Sequence, residues 1–212
     1  GGNQRLVMQI HIQERLEMRD LGDTADLAAR GVQVRVADYD QPASLAAAFA
    51  GADKLLLISA DEIGRRTAQH RAVIEAAQQA RVPYIAYTSL LRADTSPLGL
   101  AQEHRETEAL IKASGIAYTF LRNNWYLENE MTFLAPGPAN RLYWANNFAG
   151  WAPESEYAAA AVKVLTSDDP KEVYEFAGPK RSYQDLAAAL NVATGEEAAA
   201  NAHRGAGNRM KD

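Results

Sequence analysis

Cysteine is missing from this chain altogether. Its absence removes disulfide staples, a thiol nucleophile and every thiolate-ligated metal site. Long apolar runs are lacking too: no stretch approaches the ~18 uninterrupted apolar residues that a membrane-crossing helix needs. Basic excess is also wanting, since 22 Lys and Arg face 27 Asp and Glu, a formal net charge of −5. With a pI near 5.5 the chain offers no positive field to nucleic acid. The N-terminus shows none of the basic, apolar, small-residue order of a signal peptide. Together these absences make a soluble, cytoplasmic protein the expectation, with neither nucleic acid nor membrane as partner.

Two further absences bear on chemistry. His11, His70, His104 and His203 stand apart, without metal-binding spacing, so no metal is assigned. His104 has Glu103, Glu106 and Glu108 around it, which reads as a solvated helix face. A G-x-G-x-x-G turn, the mark of a dinucleotide-binding sheet, is missing as well. Gly1-Gly2 has no strand before it, and no other glycine cluster opens a helix. The residues alone leave two alternatives: the chain does not bind a dinucleotide, or it begins downstream of that turn.

What is present alternates between strand and helix. Val32, Val34 and Val36 alternate with polar residues as in a strand. Asp40 and Pro42 start a helix carrying Leu45 and Phe49, with Gly51 closing it. Lys54 to Ser59 reads as a buried strand, and Gly64 to Ala80 as a helix with Val73, Ile74 and Ala77 in its apolar stripe. The stretch from Val82 to Leu121 organises the chain. An apolar run ending at Thr88-Ser89 is followed by a helix from Ala101 to Ser114, closed by Gly115. A second run then ends at Arg122-Asn123. Short β-branched and aromatic runs joined through helices imply a doubly wound parallel sheet of Rossmann-like class. Ligands bind such sheets outside the carboxyl ends of the strands.

Beyond Trp125 the pattern weakens. Met131 to Gly150 combines Pro136, Gly137 and Pro138 with several aromatics, as either a substrate-facing lid or a small subdomain core. Glu154 to Thr166 reads as a helix and Glu172 to Ala177 as a strand. Ser182 with Asp185 then opens a helix in the manner of a capping box. Glu196 to Asp212 reads as a weakly held tail. The expected organisation is residues 1–130 as an NAD(P)-binding domain and 131–212 as a smaller, substrate-side portion.

Several motifs carry a family likeness: Ala37-Asp38-Tyr39, Leu55-Leu56-Leu57-Ile58-Ser59, the Tyr84 to Leu91 run, Ala93-Asp94-Thr95-Ser96-Pro97-Leu98-Gly99-Leu100, and Leu121 to Asn129. Together they resemble the NmrA-like branch of the atypical short-chain dehydrogenase/reductases. Laid against that family, the chain starts inside the first helix, after the first strand and its glycine-rich turn. The resemblance implies NADPH as cofactor, a quinone-like small molecule as hydride acceptor, and a homodimer as an assembly left open. A second reading within the same family is a non-catalytic NADP(H) sensor.

The resemblance also implies site residues. Arg19 would pair with the 2′-phosphate of NADPH, the alternative being a solvated surface arginine. Ser59 would lie near the nicotinamide-side ribose, or else cap its own strand. Thr88 and Ser89 would touch nicotinamide or substrate, or make only local hydrogen bonds. The loop Asn123-Asn124-Trp125-Tyr126-Leu127-Glu128 would cover nicotinamide and substrate, with Asn124 standing where members commonly carry glycine. Tyr87 is expected in the core. None of Tyr84, Tyr87, Tyr118, Tyr157 and Tyr183 has a lysine four residues on, so alcohol oxidation through a Tyr-Lys pair is unsupported. A quinone needs no such acid as strongly, and Tyr126 is the candidate proton donor, with solvent as the alternative.

Overall fold

The computed structural model describes residues 9–11, 29–134 and 148–194. Within them the strands are β1 (Gln9–His11), β2 (Arg35–Ala37), β3 (Leu55–Leu57), β4 (Tyr84–Leu90), β5 (Ala117–Asn123), β6 (Phe148–Ala149), β7 (Val173–Phe176) and β8 (Arg181–Ser182). The helices are α1 (Pro42–Phe49), α2 (Arg66–Gln79), α3 (Gly99–Ala113), α4 (Leu127–Leu134), α5 (Glu154–Leu165) and α6 (Tyr183–Thr194).

The principal sheet has the order β3-β4-β5-β7. β3, β4 and β5 run parallel, with Leu57 opposite Tyr87 and Tyr87 opposite Phe120. β1 and β2 form a separate parallel pair, and β6 pairs antiparallel with β8. Parallel strands joined by helical crossovers are the Rossmann-like architecture that the alternating pattern implies. Helices α1 and α2 bury Leu45, Phe49, Val73 and Ala77 in a common core with Leu55, Leu57, Ile85, Tyr87 and Phe120. Pro42 stands in the first turn of α1, where its missing N–H costs nothing.

The residues group into two packing units. The first comprises the segment ending at Asn123 together with Ala161–Glu175, so it holds the four-strand sheet up to Glu175. The second opens at Asn124, runs to Ala160 and resumes at Phe176. The border at residue 130 expected from chain order and this interleaved division therefore differ.

The two central strands run further than their apolar letters indicate. Thr88, Ser89, Arg122 and Asn123 all lie within β4 and β5, with Ser89 opposite Arg122 and Leu90 opposite Asn123. Polar side chains can continue a buried ladder when each finds a partner. Here Ser89 Oγ donates to Glu108 Oε1 at 2.6 Å, and Arg122 Nε reaches the same oxygen at 2.9 Å.

One expectation is overturned. His104 is buried at 5% exposure instead of lying on a solvated helix face. The face of α3 turned inward consists of Ala101, His104, Thr107, Glu108 and Ile111. Its polar members find partners inside the first unit, so the buried stripe has no apolar signature. Tyr87 lies in the core as expected, fully buried.

Candidate functional site

Parallel register brings the carboxyl ends of β3, β4 and β5 to one edge of the first unit. Ser59, two residues past the end of β3, and Thr88 in β4 meet there. The Ser59 N–H donates to Thr88 Oγ1 at 2.8 Å, and the Thr88 hydroxyl faces Ser59 Oγ at 3.4 Å. Neighbouring Ile58 is 57% exposed, an apolar surface at the mouth of the edge. Tyr39 donates its phenol proton to the Ile58 carbonyl at 3.3 Å, tying the segment after β2 to the same place. Asn123 is buried at the end of β5, where its carbonyl accepts the Leu91 N–H at 2.8 Å.

Ser89 and Arg122 lie next to these residues but are turned into a buried ion cluster. Arg122 binds Glu108 through both Nε and Nη2, at 2.9 and 2.8 Å. Its Nη1 reaches Glu175 and Asp94, each at 3.2 Å. Hydrogen bonding to Glu108 raises the guanidinium above its already high range, and Arg122 also draws the exposed Asp94 carboxyl below its usual range. The Ser89 hydroxyl is thus engaged locally, one of the two alternatives its sequence context leaves open.

Asn124, Trp125, Tyr126, Leu127 and Glu128 belong to the second unit. Asn124 donates from its backbone to Phe176 O at 2.9 Å and from Nδ2 to Gly150 O at 3.2 Å. Trp125 is 39% exposed. Tyr126 makes a parallel bridge with Ala152 and stacks at a tilt on Tyr157, with ring centroids 5.1 Å apart. Leu127 donates to Ala152 O at 3.0 Å and opens α4. The Glu128 carboxylate accepts the Glu154 N–H with both oxygens, so it caps the N-terminus of α5. Arg19 lies outside the described residues, as does most of the Met131 to Gly150 segment.

Two arrangements were missed by the reading of the sequence. Buried Glu130 accepts from Trp151 Nε1 and from the Tyr183 phenol, both at 3.0 Å on the same oxygen. On the first unit, Ala60 has its N–H on His70 Nε2 at 2.9 Å and its carbonyl on Arg66 Nε. Only spacing hints at the second arrangement: Arg66 and His70 are one helical turn apart, as are Glu103 and Thr107.

The described edge offers groups of the kind that a nucleotide cofactor binds. Hydroxyls on Ser59 and Thr88 suit ribose and carboxamide groups, and exposed Ile58 suits a flat ring. Among the described residues no cluster of His, Asp and Glu could hold a metal, and no helix is long and apolar enough to cross a membrane.

Comparison with known proteins follows the same line. Residues 4–168 match a family described as NAD(P)H-binding. Quinone oxidoreductase 2 of Escherichia coli strain K12 is 48% identical over 181 residues, covering 81% of this chain and 62% of that protein. The chain thus spans less than two thirds of that relative's length. A crystal structure of the NADPH-dependent quinone oxidoreductase from Escherichia coli, complexed with NADPH, matches with a TM-score of 0.79 at 43% identity. That match covers 87% of this chain and 67% of the other. Triphenylmethane reductase from Citrobacter sp., complexed with NADP(H), matches with a TM-score of 0.77 at 32% identity, over 87% and 68%. These matches bear out the family likeness and the fold read from the motifs.

Proposed function

The chain belongs to the NAD(P)H-binding family, and from that premise we propose that it is an NADPH-dependent oxidoreductase passing a hydride to a quinone-like acceptor. The observation that carries this reading is the likeness to quinone oxidoreductase 2. The parallel edge formed by Ser59, Thr88 and Asn123 supports it, because it stands where a doubly wound sheet takes its ligand.

When bound, the cofactor supplies the hydride; the residues of this chain orient and protonate. Ser59 and Thr88 would hold the nicotinamide ribose and carboxamide by hydrogen bonds. The family resemblance gives the chain segment Asn123, Asn124, Trp125 and Leu127 the role of limiting access to the ring. Arg19 would take the 2′-phosphate bidentately and so favour NADPH over NADH. Ser89 and Glu128 would act through the strand ladder and the α5 cap that they already serve. Tyr126 Oη would deliver a proton to the reduced acceptor. A quinone needs little help there, because its product oxyanion is delocalised over the ring. That fits a chain without a tyrosine-lysine pair. The reading carries a cytoplasmic location with it, and a homodimer is the assembly to test.

The test is a titration of the full chain with NADPH and NADH followed by tryptophan fluorescence, then NADPH oxidation with a quinone added. Saturable NADPH-preferring binding and quinone-dependent oxidation are expected. Binding without oxidation would make the protein a cofactor sensor, and no binding of either nucleotide would end the reading for this chain. Tyr126→Phe should slow turnover while leaving NADPH binding intact; unchanged turnover would assign the proton to solvent.

A further inference from the structure

Ala60 is a buried alanine just past β3, 7% exposed, yet both its backbone groups are gripped by buried side chains. Its N–H donates to His70 Nε2 at 2.9 Å and its carbonyl accepts from Arg66 Nε. Each gripping side chain is braced from α3. Arg66 Nη1 meets Glu103 Oε2 at 3.2 Å, and His70 Nδ1 meets Thr107 Oγ1 at 2.9 Å. The Thr107 hydroxyl in turn donates to the Glu103 carbonyl at 2.9 Å. So two residues one turn apart on α2 are matched by two residues one turn apart on α3.

The proton positions follow from elimination. A backbone N–H only donates, so His70 Nε2 accepts. The ring proton is then on Nδ1 and goes to Thr107, whose own proton is already on Glu103. Burial, then Arg66 and His104, hold the His70 pKa down to about 3, which keeps the ring neutral and Nε2 an acceptor. Filling the space beneath an alanine would take only an apolar side chain. A fully satisfied polar network instead fixes one orientation, at a desolvation cost.

What it orients is the Ser59–Ala60 peptide. In a trans peptide the N–H and C=O point in opposite directions. With the Ala60 N–H aimed at His70 on α2, the Ser59 carbonyl faces away from α2. Ser59 itself stands at the strand-end edge, where its own N–H meets Thr88. We infer that His70 is a positioning residue for the cofactor: by holding the Ala60 N–H it presents the Ser59 carbonyl as an acceptor for a ribose hydroxyl of NADPH. This rests on the proposed cofactor reading of the same edge.

Two variants split the network. In His70→Asn the side-chain amide can still donate to Thr107 but is too short to reach Ala60. In His70→Gln the amide oxygen falls near the place of Nε2 and can accept the Ala60 N–H. The full-length variants are compared for NADPH affinity by fluorescence and for exchange of the Ala60 amide proton without cofactor. His70→Asn is expected to weaken NADPH about tenfold and to speed Ala60 exchange, whereas His70→Gln stays within about twofold of the parent on both. Thr107→Val leaves His70 in place but unbraced, and is expected to weaken NADPH about threefold; it decides the matter if His70→Asn does not fold. Equal NADPH affinities in the parent and all three variants would overturn the inference while the cofactor reading stands. Failure of the parent itself to bind NADPH would overturn that reading, and the inference with it.

Discussion

Tyr87 Oη lies 2.7 Å from His104 Nδ1, which fastens α3 to the second strand of the principal sheet. Both groups are buried, and without the phenol the imidazole Nδ1 would be left unmatched. Burial pushes the Tyr87 phenol up, and burial together with Arg66 pulls His104 down to about 4. At neutral pH the pair is therefore a neutral hydrogen bond.

Tyr87→Phe should destabilise the protein by about 1–3 kcal/mol, because it strands a buried imidazole nitrogen. Tyr87→Phe combined with His104→Leu should cost less than the sum of the two single changes, since both ends of the bond then go together. Urea unfolding of the three variants measures this. Additive costs would mean that the two groups do not depend on each other.

Acid sensitivity should begin well above the carboxylate range. His70 and His104 have pKa values lowered from 6.5 to about 3 and about 4 by burial, followed by nearby Arg66. Below 6.5 the unfolded chain takes up two protons that the folded chain refuses, so their contribution is present above that value and lost as pH falls toward the folded values. Each histidine changes stability by up to about 1.4 kcal/mol per pH unit in that window. The unfolding free energy should fall steadily between about pH 6.5 and 4, and His104→Leu should flatten the slope. A stability independent of pH across that interval would contradict the burial of both rings.

The α/β alternation was legible because β-branched runs and helical stripes differ in period. Leu45, Phe49, Val73, Ile74 and Ala77 take the positions that their spacing indicates. Ser182 and Asp185 form the reciprocal cap expected of them, with the Ser182 N–H on the Asp185 carboxylate and the Asp185 N–H on Ser182 Oγ. The inward face of α3 was not legible: His104, with Glu108 near it, reads as solvated until Tyr87 and Arg122 are brought to them across the fold. Strand length failed for the same reason, since Ser89 and Arg122 stay in the ladder through a shared carboxylate on a distant helix. Their place at strand ends and the resemblance raised Ser59 and Thr88 above other hydroxyls, and packing then placed them together.

Arg122 and Glu108 should prove unequal partners. The guanidinium faces three carboxylates, with side-chain exposures of 6% for Glu108, 39% for Glu175 and 62% for Asp94. Arg122→Leu strands the buried Glu108 charge and is expected to cost about 3–5 kcal/mol. Glu108→Gln removes the buried negative charge but leaves the arginine Glu175 and Asp94, and should cost clearly less. Thermal unfolding ranks the two; the reverse order would place the main support of Arg122 at the exposed carboxylates.

Gly178 and Gly51 should fail for different reasons when given a side chain. A Cβ on Gly178 would fall 1.7 Å from the Trp151 carbonyl oxygen, where the Gly178 N–H donates to Gly150 O at 2.9 Å. Two backbones pass there without room for a methyl group, so Gly178→Ala should cost about 1–3 kcal/mol and alter the near-ultraviolet dichroism of Trp151. Gly51 has open space around its Cβ position but a φ of +76°, so Gly51→Ala should cost about 1 kcal/mol through backbone strain alone. Asparagine tolerates the left-handed region and should recover part of the loss at 51. At 178 it should do worse than alanine, because the conflict is one of volume. Partial recovery by asparagine at 178 would show that the constraint there is torsional and that the two segments can move apart.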